Sequence, residues 1–372
     1  MLKENKYYSY NKGELANGCK LCVQGRKLVL FISGLCSKNC WYCPIADHKY
    51  KKDVIYANER KIENEKEILE EIKDSDARGA GITGGDPILV LERTANIIKM
   101  LKKEFGPKFH IHLYSPLENI REDKLKKLFE VGLDEIRIHP DLENKKDWNK
   151  RELIKKFDWS VGLEIPLIPG KKEETKELLN YFKDKVDFIN LNELEGSNNS
   201  TNKVFEKGYK NKDELSYAIK DSVEEGLELI DELNLERVHL CTVKLKDTVQ
   251  LGNRLKVRSE HTKSKLDIVT EEGSLIRGAI YFEKPSFNYT ENLKSKNKEE
   301  EIKKLKKLKT KICVTLKINK QDIAIDEVKY RLLTSRRIIS RRTEEIKKLG
   351  LIPAIVEEYP TYDLFEVEIE FL

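Results

Sequence analysis

Through its first 245 residues the chain alternates short apolar runs with longer amphipathic stretches, and no other feature constrains the fold as strongly. Strands separated by helices of this length belong to βαβ units, whose strands lie parallel in one sheet. The spacing predicts strands over 28–33, 80–83, 109–114, 135–139, 161–168, 188–191 and 237–243. It predicts helices over 65–72, 91–103, 122–129, 150–157, 173–182 and 213–233. Right-handed crossovers repeated six or seven times curl such a sheet into a full or partial barrel.

After about residue 255 the pattern changes. A hairpin over 266–272 and 275–282, a charged helix over 299–308, a strand over 312–318, a helix over 337–349 and a last strand over 364–371 read as an α+β module. The predicted organisation is an N-terminal extension (1–26), an α/β barrel region (27–250) and a basic C-terminal α+β module (255–372). Charge follows that division. The chain has 70 basic and 65 acidic residues, and 17 basic against 6 acidic fall within 294–342. Arg336, Arg337, Arg341 and Arg342 recur at helical spacing with isoleucines between them. Such a run is a solvated helix face, or else a docking surface for RNA or an acidic protein substrate.

Charged residues reach 36%, yet 39% hydrophobic residues exclude wholesale disorder. No apolar run approaches the ~20 residues of a membrane helix. The first twelve residues are polar, without the apolar core of a secretion signal. These features predict a cytoplasmic protein with no membrane partner.

Seven cysteines, an odd number, argue against a disulfide framework. Five lie within 25 residues. Cys36, Cys40 and Cys43 form C-x3-C-x2-C just after the first predicted strand. Three thiolates in one loop suit three irons of a 4Fe–4S cluster. Zinc normally asks for four ligands in paired C-x2-C units. Three protein ligands leave one iron open, and an open position is where a small molecule can bind.

With Tyr42 before its last cysteine, this loop resembles the signature of the radical SAM superfamily. The resemblance implies a partial (β/α)6-type barrel, and a cluster whose fourth iron chelates the amino and carboxyl groups of S-adenosylmethionine (SAM). It implies reductive cleavage of SAM to methionine and a 5′-deoxyadenosyl radical that abstracts hydrogen from a substrate. Gly84-Gly85-Asp86-Pro87, at the end of the second strand, is similar to the family's Gly-Gly-Glu-Pro stretch, whose backbone carbonyls meet the methionine amino group. Asp86 replaces the usual Glu, and the role rests mainly on backbone that glycine lets approach closely. Taken alone, the stretch is an ordinary strand-to-helix turn. Two further stretches, containing Pro169 and Asn190-Leu-Asn192, resemble those beside ribose and adenine in glycyl-radical activating enzymes. The backbone of Tyr42 is expected at the adenine. The resemblance covers 27–243; beyond that, the likeness is to archaeal proteins related to pyruvate formate-lyase activating enzyme. It implies an activase-like enzyme supplied with electrons by a flavodoxin or ferredoxin.

Other classes remain open on residues alone. The basic tail suits an RNA-modifying radical SAM enzyme. An Fe–S electron carrier or sensor needs neither a βα array nor the Gly-Gly-Asp-Pro turn, and normally uses four cysteines. A zinc-stabilised nucleic-acid-binding module explains the charge but leaves the cysteine loop without a use. Cys19-x2-Cys22 suits a tight loop that grips one metal. Cys241 falls at the end of the seventh strand, on the functional face of a parallel barrel. Together, with Cys313 or His239, these three can hold zinc or an auxiliary Fe–S cluster. The plainer readings are a redox pair for Cys19 and Cys22 and small buried hydrophobes for Cys241 and Cys313. Cys241 is also a candidate catalytic thiol that donates hydrogen to a substrate radical.

Overall fold

The computed structural model describes residues 2–286 and 289–372. It divides into two compact units, Met1–Arg254 and Leu255–Leu372.

The first unit opens with β1 (Tyr10–Lys12) and α1 (Asn17–Val23), then β2 (Lys27–Phe31) and a small hairpin, β3 (Ile55–Ala57) and β4 (Arg60–Ile62). Strand and helix then alternate: α2 (Glu65–Asp74), β5 (Gly79–Thr83), α3 (Leu91–Phe105), β6 (His110–Pro116), α4 (Glu122–Glu130) and β7 (Glu135–His139). They continue through α5 (Arg151–Ile154), β8 (Ser160–Leu167), α6 (Lys172–Phe182), β9 (Phe188–Glu193), α7 (Ser222–Glu232) and β10 (Val238–Cys241). The sheet order is β1-β10-β9-β8-β7-β6-β5-β2-β3-β4. Every pairing from β2 to β10 through β5, β6, β7, β8 and β9 is parallel. The N-terminal strand β1 closes one edge by pairing antiparallel with β10.

Side chains alternate across each strand. In β6 and β7 the positions between the polar ones, Ile111, Leu113, Ile136 and Ile138, are fully buried. They share one core with helix residues Ile68, Ile97, Leu101, Leu125 and Leu178. The opposite face of these strands carries His112, Tyr114 and Arg137, and the neighbouring β8 adds Glu164. Residues of β2, β5, β6, β7, β8 and β9 line one cavity, so the sheet curls round a polar lumen as a partial barrel. The first unit is therefore α/β, as the alternation implied. Among the described residues, no helix is long and apolar enough to cross a membrane.

Three local expectations change. The helix expected over 213–233 begins only at Ser222. Asp213 accepts the amides of Leu215 and Ser216 at 2.9 and 2.8 Å, and this turn competes with helix formation. The helix expected over 150–157 shortens to α5, behind a 3-10 turn at Lys145–Lys150. The third change lies in the C-terminal unit.

That unit contains the C-terminal part of α8 (Gly252–Thr262), then β11 (Ile268–Val269), β12 (Leu275–Tyr281), α9 (Tyr289–Lys294), α10 (Lys298–Thr315), β13 (Ile323–Asp326), β14 (Arg331–Thr334), α11 (Arg336–Lys348), β15 (Ile352–Glu358) and β16 (Glu366–Phe371). Its sheet is antiparallel, in the order β13-β14-β12-β15-β16, with β11 paired to β12. The strand expected over 312–318 is instead the end of α10. Leu305, Leu308 and Ile312 recur at helical spacing and pack with Ile280, Leu332 and Ile339, which overrides the β-branched content of that stretch. Cys313 therefore lies in a helix within an apolar cluster, filling space.

A buried ionic knot holds this sheet. Arg331 is fully buried, and donates to Asp326 Oδ2 at 2.9 Å, to the Tyr281 hydroxyl at 2.6 Å and to Glu358. Removing the cation leaves two buried carboxylates short of a partner, and breaking such a pair costs about 3–5 kcal/mol. Arg331→Met is expected to shift the urea transition of the C-terminal unit by that amount. Equal transitions in variant and wild type would show that Lys329, 2.8 Å from Glu358, suffices.

Candidate functional site

The three loop cysteines are free thiols, each partly exposed. They line a cavity of about 330 Å³ together with Tyr42, Gly84, Gly85 and Ser115. Burial pushes all three thiols up, and each feels at least one of the others. Such thiols stay protonated until a metal displaces the proton.

The loop has little regular structure and is held from outside. Lys38 donates to Asp141 at 2.5 Å and also pairs with Glu118, tying the loop to the ends of β7 and β6. The segment after β9 grips the other side. Asn199 Nδ2 donates to the carbonyls of Cys43 and Ile45 at 3.0 and 2.7 Å. The Lys203 amide donates to the Trp41 carbonyl at 2.6 Å, and Trp41 stacks on Tyr209 with ring centres 5.5 Å apart.

The Gly84-Gly85-Asp86-Pro87 turn lies directly against this loop. Gly84 has φ +143°, and a Cβ there would meet the Ser33 carbonyl at 2.3 Å. A Cβ on Gly85 would meet the Leu35 carbonyl oxygen at 2.1 Å and Cys36 Cβ at 2.9 Å. The Gly85 and Asp86 amides donate to the carbonyls of Ser33 and Leu35, each at 2.8 Å. Asp86 points away from the cavity. It is fully buried and accepts from the Ile88 amide at 3.0 Å, Ser115 Oγ at 3.0 Å and Asn119 Nδ2 at 2.7 Å. Its carboxyl braces the turn, and Pro87 starts a 3-10 turn behind it.

Tyr42, Thr83, Tyr114, His139, Glu164 and Asn192 line this cavity and also a second one of about 510 Å³, deeper in the lumen. His139 Nδ1 lies 2.9 Å from the Glu164 carbonyl and so carries the proton, leaving Nε2 to accept from the Tyr42 hydroxyl at 3.0 Å. Burial lowers its pKa and favours the neutral ring. Glu164 is half-buried, and Arg137, Asn192 and Asn190 outweigh its desolvation and keep it ionised. Asn192 donates to Glu164 Oε1 at 2.9 Å, and Asn190 to Oε2 at 2.8 Å. Arg137 joins Glu164 at 3.0 Å to Glu135 at 2.6 Å.

Helix α1 packs against this layer. Gly18 permits the approach, since a Cβ there would lie 2.5 Å from His112 Nδ1 and 2.7 Å from Arg137 Nη2. Cys19 and Cys22 thus sit on a helix, where a tight loop was expected. Arg137 Nη2 and Asn190 Nδ2 approach the Cys19 sulfur at 3.4 and 3.3 Å. Cys241 is buried in β10, where desolvation, partly offset by Lys246, raises its thiol to about 12. Among the described residues, no three His, Cys, Asp or Glu side chains converge on one metal-sized position. A cluster asks less of its loop, because each thiol takes its own iron.

The structure therefore brings Cys36, Cys40, Cys43, Tyr42, Gly84, Gly85 and Asn192 to one cavity. Asp86 and Pro87 support it from behind. Asn190 lies one layer deeper, and the Pro169 carbonyl accepts from the Tyr209 hydroxyl at 3.2 Å, with neither residue lining either cavity. Sequence reasoning missed Lys27, Tyr114, Arg137 and Glu164. The signal was present: parallel strands covered on both faces are usually apolar throughout, and strict polar alternation in His110–Pro116 and Glu135–His139 marks a polar lumen.

Comparisons with known proteins follow the same lines. The model of the radical SAM superfamily matches residues 30–191. A protein of Methanocaldococcus jannaschii, provisionally named a glycyl-radical enzyme activating enzyme, is 36% identical over 377 aligned residues, covering 98% of this chain and 94% of its own. Among solved structures, HydG, a maturase of the FeFe hydrogenase, aligns over 65% of each chain at 13% identity with a TM-score of 0.41. Methylornithine synthase aligns over 60% of this chain and 72% of its own, at 17% identity and a TM-score of 0.38. The methyltransferase TsrM of Kitasatospora setae aligns over 51% of this chain at 12% identity and a TM-score of 0.34, and the chain spans 40% of its length.

Proposed function

The chain belongs to the radical SAM superfamily, and on that premise we propose that its two joined cavities are a cofactor site and a substrate chamber of an activase-like, hydrogen-abstracting enzyme. One observation carries this reading: three free thiols and the Gly84-Gly85 backbone line a cavity that shares a wall with a deeper one. Cys36, Cys40 and Cys43 would hold the 4Fe–4S cluster, and the outer cavity would hold SAM. When bound, these groups supply one-electron reductive cleavage of SAM and, through it, hydrogen-atom abstraction.

The chain's own residues do the positioning. Lys38 and Asn199 fix the cysteine loop from its two sides. Gly84 and Gly85 leave backbone open where any side chain would collide with the loop. Neutral His139 orients the Tyr42 hydroxyl, and ionised Glu164 orients Asn192. The hydrogen-bonded layer of Arg137, Glu135 and Glu164 closes the lumen below and limits the entry of water. The reaction needs an external electron; a small flavodoxin or ferredoxin in a reducing cytoplasm fits that requirement. The relative's provisional name supports hydrogen abstraction over methyl transfer. Exposed Arg336, Arg337 and Arg341 on α11 offer a cationic surface for an acidic macromolecular partner.

Anaerobic reconstitution tests the reading. Wild type is expected to bind about four irons and to form 5′-deoxyadenosine from SAM and dithionite, while the Cys36→Ala/Cys40→Ala/Cys43→Ala variant loses both. SAM cleavage by the triple variant would overturn it. Iron or zinc left in that variant would place a second metal elsewhere, with Cys19 and Cys22 tested next.

A further inference from the structure

The deeper cavity contains a charge that the cofactor chemistry does not use. Two cations line it, Lys27 and Lys246. Lys246 pairs with Glu195. Lys27 is only 7% exposed and makes no ion pair among the described residues. Its ammonium meets one hydrogen-bond partner, His112 Nε2 at 3.1 Å. Burial and the neighbouring cations Lys27 and Arg137 drive the His112 pKa far down, so that ring is neutral and supplies no counter-charge. Two lumen carboxylates, Glu135 and Glu164, both bond Arg137, and Glu164 feels Lys27 without pairing with it. Gly81, opposite on β5, keeps this space open, because a Cβ there would lie 2.7 Å from His112 Nε2 and 3.4 Å from Lys27 Cε.

A buried ammonium with unused donors facing a cavity calls for an anion. Burial lowers the Lys27 pKa, but Cys22 and Tyr114 outweigh it, so the amine stays a protonated ammonium. We propose that the deeper cavity is the substrate chamber for a small carboxylic acid, whose carboxylate seats on Lys27 Nζ beside the Cys22 thiol. A single unpaired cation matches a monoanion. A phosphate dianion would meet Glu164 and Glu193 in the same walls. A backbone glycine of a protein loop carries no charge and leaves Lys27 without a counter-charge. This inference rests on the proposed radical SAM chemistry and hydrogen abstraction, and it replaces the macromolecular substrate of an activase with a small acid.

Cys22 lines the chamber and reports on it directly. Trypsin, cutting after Lys20 and Arg26, releases Cys22 apart from every other cysteine. The anaerobic full-length holoenzyme is alkylated with iodoacetate or with iodoacetamide, and Cys22 labelling is followed by mass spectrometry. Any effect of Lys27 on the thiol itself acts on both reagents, so their rate ratio isolates recruitment of the carboxylate. The iodoacetate-to-iodoacetamide ratio is expected to be about tenfold higher in wild type than in Lys27→Met, the worth of one charge-assisted hydrogen bond. In wild type alone, propionate is expected to protect Cys22 from iodoacetamide and propionamide is not, which keeps the test decisive if the variant fails to fold. Equal ratios in a folded variant, or equal protection by the two ligands, overturn the proposal and leave Cys22 as the counter-ion of Lys27. Protection by inorganic phosphate but not propionate overturns it in favour of a phosphorylated substrate. Formation of 5′-deoxyadenosine in the same preparations reports separately on the radical SAM reading.

Discussion

Gly85→Ala is expected to lower 5′-deoxyadenosine formation about 10²-fold while the protein remains folded. The added methyl would sit 2.1 Å from the Leu35 carbonyl oxygen and 2.9 Å from Cys36 Cβ. Neither neighbour is the free end of a flexible side chain, so backbone must move. The turn has little freedom to yield, because its amides are bonded to Ser33 and Leu35 and Asp86 is held by three donors behind it. The displacement therefore passes into the cysteine loop. A shift of about 1 Å in reacting geometry costs about 10²-fold in rate. Anaerobic turnover and iron content measure both consequences. Gly252→Ala is the control, since nothing lies within 4 Å of its added Cβ. Wild-type turnover and iron in Gly85→Ala would show that the turn and the loop are not coupled.

The second large effect is expected at Arg137. This side chain is buried and joins Glu135, Glu164 and Cys19. Arg137→Met strands the buried Glu135 and the half-buried Glu164, with an expected loss of about 3–5 kcal/mol. The pH dependence should change with it. Burial alone would raise the Glu135 pKa, but Arg137 and His110 outweigh it and hold the group at about 2, below its ordinary 4.5. A depressed folded pKa contributes stability that is complete above about 4.5 and fades as pH falls towards 2. In the variant the burial and His110 remain and the largest opposing charge is gone, so the folded pKa is expected to rise above the unfolded one. That contribution is lost as pH rises. Urea midpoints at pH 5 and pH 8 are expected to show wild type without loss from this group and the variant weaker at pH 8. Parallel profiles would mean that Glu135 keeps a counter-charge without Arg137.

The parts of the site readable in the sequence are those in which chemistry and spacing are local. Cys36, Cys40 and Cys43 fall within eight residues, and the Gly-Gly-Asp-Pro turn is contiguous. Strands such as Glu135–His139 and helices such as Lys172–Phe182 were visible because one period of hydrophobicity runs through each. The misread stretches are those where local signals conflict. Around Ile312, β-branched residues suggest a strand, while a leucine stripe already begun at Leu305 continues the helix. At residues 213–221, charge and leucine spacing suggest a helix that the side chain of Asp213 interrupts.

The lumen is a different case. Lys27, His112, Arg137 and Glu164 are separated by up to 137 positions, and nothing local says which faces which. The alternating pattern within each strand does dictate that one face is polar, because side chains must alternate across a pleated backbone. Which polar groups pair, which cation has no ion pair among the described residues, and where a helix glycine admits the neighbouring layer depend on strand register and sheet curvature. Those are settled by long-range packing, through contacts such as Gly18 against Arg137 and Gly85 against Leu35. The cysteine loop and the parallel α/β architecture thus follow from the chain's own order of residues. That Lys27 has no ion pair among the described residues is decided only once the strands are side by side, because an ion pair requires approach within a few ångströms and sequence distance does not specify it.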